Sequence, residues 1–287
     1  MGGFMSTIFD NGVPFYKMQG CGNDFVFIDN RSAKVPEADM AGWARKVCRR
    51  AFGVSADGLC FLDAAPAGSG LAYRWHFYNS DGSRAEMCGN ASRCAGRLAH
   101  AIGLAPERHS FGTDAGPIAA EVFPESGLVK VQLTPPRDLT LDIDLSLGSD
   151  ILRLHFVIMG VPHAVLFVED VAAVNVRKLG HDIRFHGRFA PAGTNVNFVQ
   201  VLDKGRMLLR TYERGVEDET YACGTGAAAS QIVAAGLGLT GPSAALTTTG
   251  GETLGVSLED GKVFLQGAAE LTFQGELYPR ALGLLGE

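Results

Sequence analysis

Short runs in which hydrophobic and polar residues alternate make up most of this chain. Residues 25–29, 73–77, 128–133, 164–168, 196–202, 207–212, 254–258 and 263–266 are rich in β-branched and aromatic side chains and are punctuated by Gly, Asp and Pro. That pattern predicts strands with one buried face. Three segments carry helical spacing instead. One covers about residues 37–51. A second starts near Gly89 and runs through Ala91, Ala95, Leu98, Ala99 and Ile102. A third starts near Gly224 and runs through Ala227, Ala228, Ile232 and Val233. The second and third are nearly apolar all round, as expected of buried central helices. Each half of the chain therefore combines many strands with one buried helix. A doubly wound sheet would alternate strand and helix throughout, so a duplicated α/β unit fits better. Turn-rich residues 112–117 and 124–127 mark a crossing between the halves, and residues 64–70 read as a surface loop.

Composition narrows the class. A length of 287 residues suggests about two domains, and 46% hydrophobic residues suffice for packed cores. A net charge of −6 favours neither nucleic acid nor an anionic membrane surface. No apolar run approaches the ~18 residues of a membrane span, and no signal peptide is visible, so a cytoplasmic location is expected. Met1-Gly2-Gly3-Phe4-Met5-Ser6 formally matches the myristoylation pattern; an extra start upstream of Met5 is the plainer reading.

The cysteines are Cys21, Cys48, Cys60, Cys88, Cys94 and Cys223. They form no C-x-x-C pair, which argues against a thioredoxin-like site or a zinc ribbon. Cys48 and Cys60 lie in apolar surroundings, and Cys94 falls beyond the first turn of its helix, so these three are expected to pack in cores. Cys88 and Cys223 differ. Each follows an acidic stretch and immediately precedes a Gly that opens a buried helix. Unpaired backbone N–H groups and the positive end of the helix dipole favour a thiolate there.

Two such thiols suit inversion of a carbon acid. One thiolate removes an α-hydrogen from one face, and the opposite thiol returns a proton to the other. The carbanion needs stabilisation, and helix N-termini aimed at the substrate carboxylate supply N–H donors. The backbones of Gly89, Asn90, Gly224, Thr225 and Gly226 are the candidates. Either Cys-Gly alone would more often be simple packing, and the glycine-rich turns alone would equally suit a phosphate. Neither is a Walker loop or a G-x-G-x-x-G turn.

Four motifs carry a family resemblance: residues 17–25 (KMQGCGNDF), 79–93 (NSDGSRAEMCGNASR), 160–163 (GVPH) and 213–226 (ERGVEDETYACGTG). Through them the chain, from about Phe15 onward, resembles the diaminopimelate epimerases, cofactor-independent enzymes of lysine and peptidoglycan precursor biosynthesis. The resemblance implies an α/β fold of two pseudo-symmetric domains, each a strand-rich curled sheet wrapped round a central helix, with the active site in the interdomain cleft. It places residues 1–123 in the first domain, completed by a returning strand within 269–287, and 124–268 in the second. It implies no pyridoxal phosphate, metal or nicotinamide, a diaminopimelate substrate and a homodimer.

By the same resemblance, Cys88 and Cys223 are the acid/base thiols, Cys88 facing the L-configured substrate and Cys223 the D-configured centre. Glu213 pairs with the reacting ammonium, with Asn23 nearby. Asn79, Asn195 and Arg214 hold the distal amino and carboxyl groups. Gly89, Asn90, Gly224 and Thr225 donate backbone N–H groups to the reacting carboxylate, and His163 sits close to the site. Taken singly, Asn23 could be a turn residue, Arg214 an ion pair with Glu217 or Asp218, and His163 a structural histidine. Three departures from the family pattern stand out. Val161 replaces a frequent asparagine, the Glu217, Asp218, Glu219 run is one residue longer than the common version, and Cys21 replaces an aliphatic residue. Three other readings remain. One is a racemase or epimerase for another amino acid, such as histidine or hydroxyproline, in the same superfamily. The second is a non-catalytic carboxylate or phosphate-binding module. The third is a metal or redox protein, which the cysteine spacing disfavours.

Overall fold

The structure, a computed structural model, describes residues 12–284; the Met1–Ser6 pattern lies outside them. The chain divides into two compact units, Met1–Val129 with Ala268–Glu287, and Lys130–Gly267.

In the first unit the strands are β1 (Val13–Gly20), β2 (Asn23–Asp29), β3 (Gly58–Ala64), β4 (Tyr73–Asn79), β5 (Arg108–Thr113) and β6 (Gly116–Phe123). β7 (Leu128–Gln132) crosses the boundary between the units. The second unit holds β8 (Arg137–Leu147), β9 (Asp150–Met159), β10 (Val161–Phe167), β11 (Asn195–Asp203), β12 (Arg206–Glu213), β13 (Asp218–Thr220), β14 (Ser243–Thr247), β15 (Thr253–Glu259) and all but the last residue of β16 (Lys262–Ala268). The last strand, β17 (Glu270–Leu277), returns to the first unit and pairs with β1. The helices are α1 (Asn30–Ala33, a single turn), α2 (Glu37–Val47), α3 (Gly89–Ala101), α4 (Val176–Arg184) and α5 (Gly224–Gly236).

The duplication is visible in the strand ladder. The first sheet runs β17-β1-β2-β3-β4-β5-β6, with neighbours antiparallel, antiparallel, parallel, antiparallel, parallel and antiparallel. The second runs β8-β9-β10-β11-β12-β14-β15 with the same succession of directions. A parallel neighbour needs a crossover, and helices supply it. In the first unit α1 and α2 join β2 to β3, and α3 lies between β4 and β5. In the second α4 joins β10 to β11, and α5 lies between β12 and β14. Thus α3 and α5 occupy equivalent crossovers, and each packs on the strands of its own unit.

Local chemistry explains the boundaries. The β1–β2 hairpin turns on Cys21 (φ 55°) and Gly22 (φ 83°), between the paired Gly20 and Asn23. Two consecutive left-handed residues make the type I′ turn that matches strand twist. α2 opens with Glu37 and Asp39 and closes with Arg45 and Lys46, opposing its dipole at both ends. It stops at Val47, short of the expected residue 51, because the Val47 carbonyl accepts from the Val54 N–H at 2.8 Å. Residues 112–117 prove to be the β5–β6 hairpin inside the first unit, and 124–127 the turn from β6 to β7. The first core gathers Val26, Ile28, Met40, Trp43, Leu59 and Phe61; the second gathers Leu154, Leu166, Ile183, Val196, Phe198 and Tyr212. Among the described residues no helix is long and apolar enough to cross a membrane.

Candidate active site

Both expected thiols are helix N-caps. Cys88 has the extended backbone of an N-cap (φ −142°, ψ 121°) and so does Cys223 (φ −126°, ψ 107°). Each carbonyl accepts the first helical bond, from Ser92 N–H at 2.8 Å and from Ala227 N–H at 2.9 Å. The next N–H groups, at Gly89 and Asn90 and at Gly224 and Thr225, have no intrahelical acceptor by construction of the α-helix. Cys88 is half-buried and Cys223 buried. The Cys223 sulfur accepts from the Gly226 N–H at 3.4 Å and lies 3.5 Å from the Thr225 hydroxyl.

The other cysteines separate cleanly. Burial pushes the Cys48 and Cys94 thiols up to about 12, and raises Cys60 well above the ordinary thiol range. Cys21 is also buried, and the Arg93 guanidinium, itself fully enclosed, donates to its sulfur at 3.1 Å.

In the first unit, Asn23 and Asn90 meet directly. Asn90 Nδ2 donates to Asn23 Oδ1 at 2.6 Å, and Asn23 Nδ2 donates to Asp57 at 2.9 Å. Asn23 is thus a hairpin residue and also the partner of a residue on the first turn of α3. Asn90 Oδ1 is buried without a protein partner among the described residues. Asn79 closes β4, and its side chain donates to Ser83 Oγ at 2.9 Å across the following turn.

In the second unit, strand alternation puts His163, Asn195, Asn197 and Thr211 on one face, because side chains two apart on a strand point the same way and the pairs His163–Asn195 and Asn197–Thr211 lie opposite each other. Asn195 Oδ1 accepts from the Arg214 backbone N–H at 2.7 Å, so this asparagine anchors the start of the β12–β13 turn. Arg214 donates from its guanidinium to the Ala192 carbonyl at 3.1 Å. The acidic neighbours that could have paired with it have other partners. Glu217 takes Arg184 at 3.0 Å and Asp218 takes Arg177 at 2.8 Å. Glu217 sits at φ 59° and also accepts from Gly215 N–H, which shapes the acidic run into a closed hairpin turn. His163 is fully buried; desolvation, with the Arg214 charge added, pushes it down to about 3, so the ring is neutral.

A sequence model of the family described as "Diaminopimelate epimerase" matches residues 15–139 and 155–272. The chain belongs to the diaminopimelate epimerase family. The diaminopimelate epimerase of Aquifex aeolicus (strain VF5) is 45% identical over 282 residues, covering 94% of this chain and 99% of that protein. That of Methanocella arvoryzae is 42% identical, covering 92% and 96%. Among solved structures, a probable proline racemase from Agrobacterium radiobacter superposes with a TM-score of 0.69 at 15% identity, covering 94% of this chain and 95% of that one. A hydroxyproline epimerase from Agrobacterium vitis reaches 0.68 at 17%, covering 96% of each. At these identities the two structures speak for the fold alone.

Reading the sequence of this epimerase-family chain missed Asn197, Thr211, Asp57 and Arg93. Arg93 and Asn197 are fully buried, and Asp57 holds Asn23. The one available signal was the doubled asparagine of Asn195-Val196-Asn197, whose spacing of two puts both side chains on one strand face.

Proposed function

We propose that this chain interconverts LL- and meso-diaminopimelate without a cofactor, using Cys88 and Cys223 as the two acid/base groups. The observation that carries this is the matched pair of cysteine N-caps at equivalent crossovers of a duplicated unit. A single catalytic thiol would not require the same position to be kept in both halves. Inversion requires one sulfur on each face of one α-carbon. The thiolate takes the α-proton, the electron pair is delocalised into the carboxylate, and the other thiol delivers its proton to the opposite face. The donors to the carboxylate are the N–H groups of Gly89, Asn90, Gly224 and Thr225. Donors preorganised at developing charge are worth about 2.7–4 kcal/mol each.

Glu213 pairs with the reacting ammonium, with Asn23 beside it. Arg214 supplies a planar fork for the distal carboxylate, with Asn195 fixing its backbone and Asn79 contributing to the same end; His163 supports the site. Val161, at the start of β10, offers no side-chain hydrogen bond, which leaves room for a related monoamino acid as a second reading. The enzyme acts as a cytoplasmic homodimer with no partner in nucleic acid or membrane, and it serves lysine and cell-wall precursor synthesis. The two units correspond to two epimerase domains, the first completed by the C-terminal strand.

The test is turnover of LL-diaminopimelate by dialysed, chelator-treated protein beside a panel of monoamino acids. Full activity on diaminopimelate with no added cofactor is expected. Faster racemisation of histidine or hydroxyproline would favour the second reading, and activity that returns only with pyridoxal phosphate, metal or nicotinamide would overturn the mechanism.

A further inference from the structure

The helices that begin at the two cysteines rest on different layers. Beneath α3, register pairs Cys60 with Phe77, and Phe25 packs edge-on against Phe77 at 5.8 Å. The corresponding positions beneath α5 are Asn197, Thr211 and His163. All three are at most 2% exposed, so an apolar support in one unit is a polar one in the other.

The hydrogen bonds in that polar layer leave no freedom in its assignment. Asn197 Nδ2 lies 3.0 Å from the Ala164 carbonyl, and a carbonyl can only accept, so this edge of the amide is its NH₂. The same nitrogen lies 3.2 Å from His163 Nδ1. Its second hydrogen points there, so Nδ1 is an acceptor and carries no proton. Thr211 Oγ1 donates to the remaining atom, Asn197 Oδ1, at 3.1 Å. The neutral ring must then hold its proton on Nε2. That nitrogen is buried and has no protein partner among the described residues. A buried N–H that no protein group meets is one that a catalytic role or a bound group would explain. The amide also touches the thiol's helix. A Cβ at Gly226 would stand 2.3 Å from Asn197 Oδ1, and 3.3 Å from the Cys223 sulfur.

We propose that Asn197 is a positioning residue that locks His163 in the Nε2–H tautomer and seats the first turn of α5, so that the ring offers a fixed N–H donor to an anionic group of the bound substrate. This rests on the reading of the chain as an epimerase but concerns a residue that the reading does not use. With the opposite tautomer Nε2 would present a lone pair, which repels a carboxylate.

The experiment is ¹⁵N NMR of ring-labelled protein, in which the two ring nitrogens report the tautomer directly, together with steady-state kinetics. Wild type should show His163 as Nε2–H at neutral pH. Asn197→Asp replaces the donor with an acceptor of nearly the same shape, and should move the proton to Nδ1 while kcat/KM falls roughly tenfold or more, with KM raised. Thr211→Val removes only the bond to Oδ1, and should lower stability while leaving the tautomer unchanged. Nδ1–H in the wild type, which needs no variant to fold, would overturn the proposal. So would Asn197→Asp with an unchanged tautomer, or a flipped tautomer with unaltered kcat/KM. If the wild type shows Nε2–H but does not turn over diaminopimelate, the functional reading fails and the role of Asn197 stands.

Discussion

A Cβ placed on Gly226 would lie 2.3 Å from the side-chain oxygen of Asn197. Only glycine lets the helix that begins at Cys223 approach the sheet this closely, and Asn197 cannot retreat because three hydrogen bonds hold it.

Gly226→Ala is therefore expected to destabilise the protein by about 1–3 kcal/mol, the usual penalty of overpacking. Gly236→Ala, near the other end of the same helix, meets only Leu141 at 3.8 Å. There the better helix propensity of alanine should leave stability unchanged or raise it by up to about 1 kcal/mol. Urea denaturation of the two variants checks the contrast; equal stabilities would remove the close approach as an explanation.

Arg214 is expected to govern substrate choice. Losing a charged hydrogen bond costs about 1.5–3 kcal/mol, which is roughly a tenfold to 150-fold loss of kcat/KM. Arg214→Ala should show that loss on diaminopimelate and almost none in the slow α-hydrogen exchange of a simple amino acid. Equal losses on both substrates would mean that Arg214 does not read the distal end.

His163 should shape the acid limb of stability. Its folded value, about 3, lies below the ordinary imidazole value of about 6.5. Above that ordinary value both states are neutral and the group contributes nothing. As pH falls from there towards the folded value, the unfolded chain binds a proton that the native state refuses. Stability then drops by about 1.4 kcal/mol per pH unit. His76, His109 and His155 are lowered by burial as well, so the informative quantity is the difference between wild type and His163→Gln. Urea midpoints between neutral and mildly acid pH should fall more steeply in the wild type. Parallel slopes would mean that His163 titrates normally.

Cys48 supplies a control for thiol chemistry. It is the C-cap of α2, buried against Trp43 and Val47. Cys48→Ala should cost about 1–2 kcal/mol of stability and leave kcat intact at a temperature where the variant is folded. A lost kcat in folded protein would bring this thiol into the reaction.

How much of this was legible in the sequence depends on whether a segment's partners are local. The starts of α3 and α5 were read at Gly89 and Gly224, because a cysteine, a glycine and a run of small apolar residues form a contiguous signal. α4 was not read, since only Val176, Gly180 and Ile183 of its nine residues are buried and, Leu179 apart, the rest is charged or polar. Its cap, Asn175 accepting from Lys178 N–H at 3.1 Å, was the available clue. β8 was missed for a similar reason, because most of it is exposed. Arg93 was beyond reach, and Asn197 had only its spacing of two from Asn195 to mark it. Nothing local distinguishes a buried polar side chain from a solvated one, and their partners lie on other strands and turns. Residues 112–117 look like a boundary in composition, yet a hairpin inside one unit needs the same turn residues.

Turnover of LL-diaminopimelate in deuterium oxide, followed early for stereochemistry and label together, tests the two-thiol reaction most directly. With one sulfur on each face, the first meso product should carry solvent deuterium at the inverted centre while unreacted LL substrate remains protiated. Cys88→Ala and Cys223→Ala should each lose inversion by roughly 10²–10⁴-fold. Inverted product that keeps the original hydrogen, or inversion that survives in either variant, would contradict a mechanism built on Cys88 and Cys223.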